Sequence, residues 1–145
     1  METINLPQDR PKGKYANRSL ARTVAFQILY QDDLNAGSLE QFTESFLKQE
    51  LPDYEPLMRF AKTLINGTVE KKEQIDTILT DLAQHWSLSR MTVIDRNILR
   101  IAVYEILFMD TPKVVVINEA IELAKKFGTE QSAAFVNGIL NNIAD

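Results

Sequence analysis

A chain of 145 residues with 45% hydrophobic and 25% charged content suits one domain, or two small subdomains sharing a core, and argues against disorder overall. It contains no cysteine, which excludes disulfides and thiolate metal sites, and no apolar run long enough to span a bilayer. The net charge is −4, yet up to residue 25 five basic residues (Arg10, Lys12, Lys14, Arg18, Arg22) face only Glu2 and Asp9, so that segment carries +3 and the remainder −7. A basic stretch on an acidic body suits a local polyanion contact as well as a solvated terminus.

The start, METINLPQDRPKGK, lacks the apolar core of a signal peptide, and the simplest reading is a cytoplasmic protein. Residues 1–16 hold Pro7, Pro11 and Gly13 among charges without a sustained period and read as a mobile arm. The folded domain is expected over residues 17–145. Asn17 is a candidate N-cap for a first helix to about Asn35, with Leu20, Ala21, Val24, Ala25 and Ile28 facing inward. Phe26, Tyr30 and Leu34 form a second apolar row on roughly the opposite side, and Arg18 and Arg22 line the border between the rows. A helix apolar on two sides is either the centre of a bundle or a helix with a partner.

Ser38 with Gln41 resembles a capping box for a second helix, whose core side is Leu39, Phe42, Phe46 and Leu47, before Pro52 ends it. A third helix is expected from around Glu55-Pro56 until Asn66-Gly67, on Leu57, Phe60, Ala61, Leu64 and Ile65. Val69, Ile75, Ile78, Leu79 and Leu82 mark a fourth, and His85-Trp86-Ser87-Leu88 a tighter connection in which the lone His85 is structural or exposed. Thr92 and Asp95 predict a second capping box, opening a fifth helix to about Met109 that is apolar nearly all round. Arg100 and Glu105 inside it need partners, and Glu119 is one candidate for Arg100.

After Pro112, the sixth helix has Val114, Ile117, Ala120, Ile121 and Ala124 inward and Lys125 and Lys126 at its negative end, with Gly128 as a left-handed C′ residue. The last helix has Ser132 near its start as a possible cap, Val136, Ile139, Leu140 and Ile143 on one stripe, and Gly138 permitting close helix contact. The β propensity of Val114 to Ile117 and the turn signal Asn137-Gly138 both lie inside longer 3.6-residue patterns, so helix is expected at each. The fold class is therefore all-α, about seven helices in a two-part bundle.

No enzyme site emerges: there is no phosphate-cradling glycine loop, no helix with paired metal-binding histidines, and no nucleophile with a histidine base. No catalytic residue, metal or cofactor is expected.

The runs NEAIELAKKFG and FVNGIL, with Asp95-Arg96-Asn97-Ile98-Leu99-Arg100 upstream and Ala21-Arg22 and Gln27-Ile28-Leu29-Tyr30 before that, resemble the NusB family of transcription antitermination factors. The resemblance covers most of the chain beyond Asn17 and implies the same all-α fold. It also implies binding to boxA-type single-stranded RNA in nascent ribosomal transcripts, together with a small-subunit ribosomal protein called NusE in this role. Within the transcription elongation complex, that binding would help RNA polymerase escape termination. A similar helical domain precedes the catalytic domain of ribosomal RNA cytosine methyltransferases, but the 145 residues hold no α/β cofactor pattern and no cysteine for that chemistry.

On the family's pattern Arg18 and Arg22 match an N-terminal arginine-rich motif, and Phe135 an aromatic beside the last helix that looks like a base-stacking residue. Phe135 lies at the edge of its helix's apolar stripe, which suits partial exposure or one more core phenylalanine. Ser19 and Leu20 stand where relatives are often basic, so Lys12 and Lys14, with Arg10, are expected to supply the missing charge. Gln131 is often acidic in relatives; a neutral residue repels phosphate less. The implied protein-partner surface takes in the first helix and the start of the fifth, with Phe26, Tyr30, Leu34 and Asp95 as contacts. The alternative is a homodimeric helical module that buries the same surface against itself.

Overall fold

The computed structural model describes residues 18–84 and 86–144. The expected arm over 1–16, the Asn17 cap and the reading of His85 fall outside these residues. Seven α-helices and no strand are present among the described residues: α1 (Arg18–Leu34), α2 (Leu39–Glu50), α3 (Glu55–Glu70), α4 (Lys72–Ala83), α5 (Val93–Phe108), α6 (Lys113–Phe127) and α7 (Ser132–Leu140), with a 3-10 turn at Leu88–Arg90. The β-branched run at Val114 and the Asn137-Gly138 pair are both helical, because the longer apolar period outweighs a local turn or strand preference.

The chain divides into two compact units at Asn66 and Gly67, inside α3. In the first, α1 packs on α2. The expected inward residues of α1 are buried, but so is every residue from Leu20 to Leu29, so that ten-residue stretch is enclosed on all sides. Phe26 in particular is 1% exposed and belongs to the core, which corrects its expected place on an open row. Of the two explanations open for this helix, burial holds for its first half. Gln27, also enclosed, has no partner for either side-chain amide atom. Lys62 on α3 pairs with Glu44 on α2 at 2.8 Å, and this hydrogen bond, with the lysine charge, holds the Glu44 carboxyl below its ordinary range. The expected Ser38 cap does not form: Ser38 already has helical backbone angles, and its hydroxyl makes no hydrogen bond.

In the second unit α5 packs on α4, α6 and α7. It is buried without a break from Asn97 to Val103, as its all-round apolar sequence requires. Its cap is as expected on one side: the Asp95 N–H donates to Thr92 Oγ1 at 3.0 Å. Arg100 donates Nε and Nη2 to the two carboxylate oxygens of Asp76 on α4, at 2.8 and 3.0 Å. The physical reason is fork geometry: a planar guanidinium is satisfied by a carboxylate that accepts both N–H groups at once.

Three glycine expectations are corrected. Asn66-Gly67 does not close α3, which runs on to Glu70; Gly67 lies against the Tyr104 ring, where a Cβ would overlap it. Gly128 is extended (φ −93°, ψ −165°) rather than left-handed, and what demands glycine there is the close approach of Ser132 and the Ala124 carbonyl. Gly138 makes no close helix contact, since a Cβ there would meet nothing. Val114, placed inward by the period, is 64% exposed because it sits in the first turn of α6, ahead of the covered residues Val116 and Ile117.

Candidate nucleic-acid interface

Arg18 and Arg22 sit one turn apart on α1, and the fold brings both guanidinium groups to one ring. Their Cζ atoms lie 4.4 and 5.2 Å from the centroid of Phe60 on α3, within cation–π range. Arg18 is exposed and keeps a face toward solvent, whereas Arg22 is buried at 6% exposure. At that burial Arg22 is less able than Arg18 to meet a phosphate directly. Phe60 is the residue that sequence reasoning missed here: its helical spacing marked it only as core. Lys12 and Lys14 lie outside the described residues.

In the second unit, Phe135 is half-buried on α7, and its ring meets Trp86 edge to face: centroids 5.7 Å apart, planes at 79°. Trp86 is 52% exposed. The start of α7 is built by Ser132, whose buried hydroxyl accepts the Thr129 N–H at 3.0 Å, so it ties the preceding loop rather than capping the helix. Gln131 precedes it and is exposed, with its backbone N–H donating to Thr129 Oγ1 at 3.3 Å. Trp86 was missed as a companion of Phe135 because it belongs to no periodic stripe; the signal available was a lone tryptophan among polar residues outside any helix.

The residues expected at the partner surface are graded by burial. Tyr30 is half-buried and touches Phe26 (centroids 6.0 Å), and Leu34 is 54% exposed. Asp95 is 8% exposed at the first turn of α5, where its charge suits the helix dipole, and one carboxylate oxygen has no hydrogen-bond partner. Neither Phe26 nor Asp95 presents the open side chain that the expected contact needs.

The model of the NusB family matches residues 19–145. The chain belongs to the NusB family. Among relatives, the transcription antitermination protein NusB of Geobacter sulfurreducens is 48% identical over 128 residues, covering 88% of this chain and 93% of its own. The NusB protein of Anaeromyxobacter dehalogenans is 42% identical over 129 residues, covering 89% and 91%. Of solved structures, T. maritima NusB superposes with a TM-score of 0.76 at 40% identity, covering 86% of this chain and 88% of that one. A structure of antitermination factors NusB and NusE in complex with double-stranded RNA superposes with a TM-score of 0.78 at 30% identity, covering 86% and 92%. Such a family membership accounts for the all-helical architecture. Among the described residues no helix is long and apolar enough to cross a membrane.

Proposed function

We propose that this chain is a cytoplasmic, non-enzymatic antitermination factor that binds boxA-like single-stranded RNA in nascent ribosomal transcripts. It does so jointly with the NusE-type small-subunit ribosomal protein, and thereby promotes read-through by RNA polymerase. The observation that carries the RNA part is the half-buried Phe135 ring, in a chain 30% identical to a NusB solved with NusE and double-stranded RNA. A solvent-facing ring stacks on an unpaired base, whereas the faces of bases inside a duplex are already taken, so the single strand is favoured. Arg18 contributes phosphate attraction, Arg22 follows it one turn on, and Lys12 and Lys14 extend the basic stretch; Gln131 leaves the neighbouring loop neutral. The NusE-type partner is assigned to the open end of α1, at Tyr30 and Leu34.

The test is an RNA titration with and without the ribosomal protein, beside thermal melts. Phe135→Ala is expected to weaken RNA binding by about 1–3 kcal/mol, the worth of one stacked base. If it lowers the melting temperature and leaves RNA affinity intact, Phe135 is a core residue and the reading fails. Tyr30→Asp is expected to melt normally, lose the ribosomal protein and keep the weak binding of the protein alone. A Tyr30→Asp variant that turns a dimer into a monomer while still binding the ribosomal protein assigns that surface to a second copy instead.

A further inference from the structure

We infer that Trp86 is a second base-stacking residue, so that Trp86 and Phe135 together hold an unstacked step of two adjacent bases in the RNA strand. The inference rests on the RNA-binding reading of Phe135 and deepens it. Two rings at 79° present faces nearly at right angles. Bases stacked on both cannot stack on each other, because their planes would be nearly perpendicular. The corner therefore selects a splayed single strand and rejects both duplex and continuously stacked RNA.

Trp86 is anchored through its backbone and stays exposed. Its backbone N–H donates to the Ala83 carbonyl at 3.2 Å, and the following 3-10 turn is pinned by Arg96, whose Nη1 donates to the Leu88 carbonyl at 3.0 Å. Gln84, just before it, adopts a positive φ of 52°, a backbone turn that residues other than glycine take up at a cost. Anchored on both sides, Trp86 is 52% exposed. A ring needed only to brace Phe135 gains most by burial, whereas a stacking platform has to stay open and pre-positioned. Arg90, exposed at the end of the same 3-10 turn, places a cation on the segment that would follow the phosphates.

Trp86 is the sole tryptophan of the chain, so intrinsic fluorescence reports on this ring alone. The full-length protein is titrated with a short single-stranded RNA from a ribosomal leader and with the same sequence as a duplex. Single-stranded RNA is expected to quench Trp86 fluorescence and the duplex to leave it unchanged. Trp86→Ala and Trp86→Leu are expected to lower affinity by roughly 5- to 100-fold, with Trp86→Phe recovering most of the loss, since leucine packs against Phe135 but offers no π face. If Trp86→Leu binds as the parent does, or fluorescence is unmoved while Phe135→Ala weakens binding, Trp86 is only a brace and the inference fails while the RNA-binding reading stands. If the parent protein binds neither RNA and Phe135→Ala changes nothing, the RNA-binding reading itself is lost.

Discussion

Two positions show glycine and its alternative exchanged. Gly138 lies in α7 with open space where a Cβ would go, so it weakens the helix without serving a contact. Gly138→Ala is expected to stabilise the fold by about 0.5–1 kcal/mol, read as a raised melting temperature. Gln84 has the positive φ that glycine tolerates, and Gln84→Gly is expected to be stabilising by up to about 1 kcal/mol in a denaturant titration. The Arg100–Asp76 pair supplies the opposite case: Asp76→Ala removes the bidentate acceptor from an arginine 7% exposed, and is expected to cost about 2–4 kcal/mol in the same measurement. That Arg100 needs a partner was legible in the sequence, because an arginine in a helix apolar all round cannot be fully solvated. That Asp76 is a partner was not legible, since it lies 24 residues away on another helix and only packing brings them together.

Among the helices, what the period of apolar residues decides was readable and what their ends do was less so. The inward stripes of α1, α5 and α7 follow from 3.6-residue spacing, which survives any tertiary context that buries one face. Helix ends answer to contacts instead. Gly67 reads as a stop beside Asn66, yet α3 continues because a ring from α5 occupies the space that a side chain would fill. Gly67→Ala is expected to push the Tyr104 ring off its stack on Phe108 and to lower stability by about 1–3 kcal/mol, measured by thermal melting. The Glu44–Lys62 link between α2 and α3 carries a pH signature. Because the carboxyl of Glu44 is held below its ordinary range, the contribution is present above that range and disappears as pH falls through the lowered value. Both side chains are exposed, so the effect is small and is expected to vanish in Glu44→Gln and at high salt.

Across the whole molecule, the contrast between a basic beginning and an acidic remainder was plain in the sequence, and so was the all-helical class. The proposed RNA site was legible only in part: Phe135 stood at a stripe edge, but its T-shaped contact with Trp86 joins residues 49 apart in sequence order, which no period encodes. Binding that depends on few cations has a measurable consequence. For single strands the logarithm of affinity falls with the logarithm of salt by about 0.7 per phosphate contact, so removing residues 1–16, with Arg10, Lys12 and Lys14, is expected to flatten that slope by up to about 2. An unchanged slope would mean that the arm does not touch the RNA.

The enclosure of α5 by three other helices also governs the order in which the protein can be made. Synthesis delivers α5 before α6 and α7, two of the helices that pack against it. Until those leave the ribosome, a helix buried continuously from Asn97 to Val103 in the finished protein has part of its apolar circumference uncovered. Nascent chains stalled just before Lys113 are therefore expected to be strong chaperone clients, and release of α7 from the exit tunnel should end that dependence.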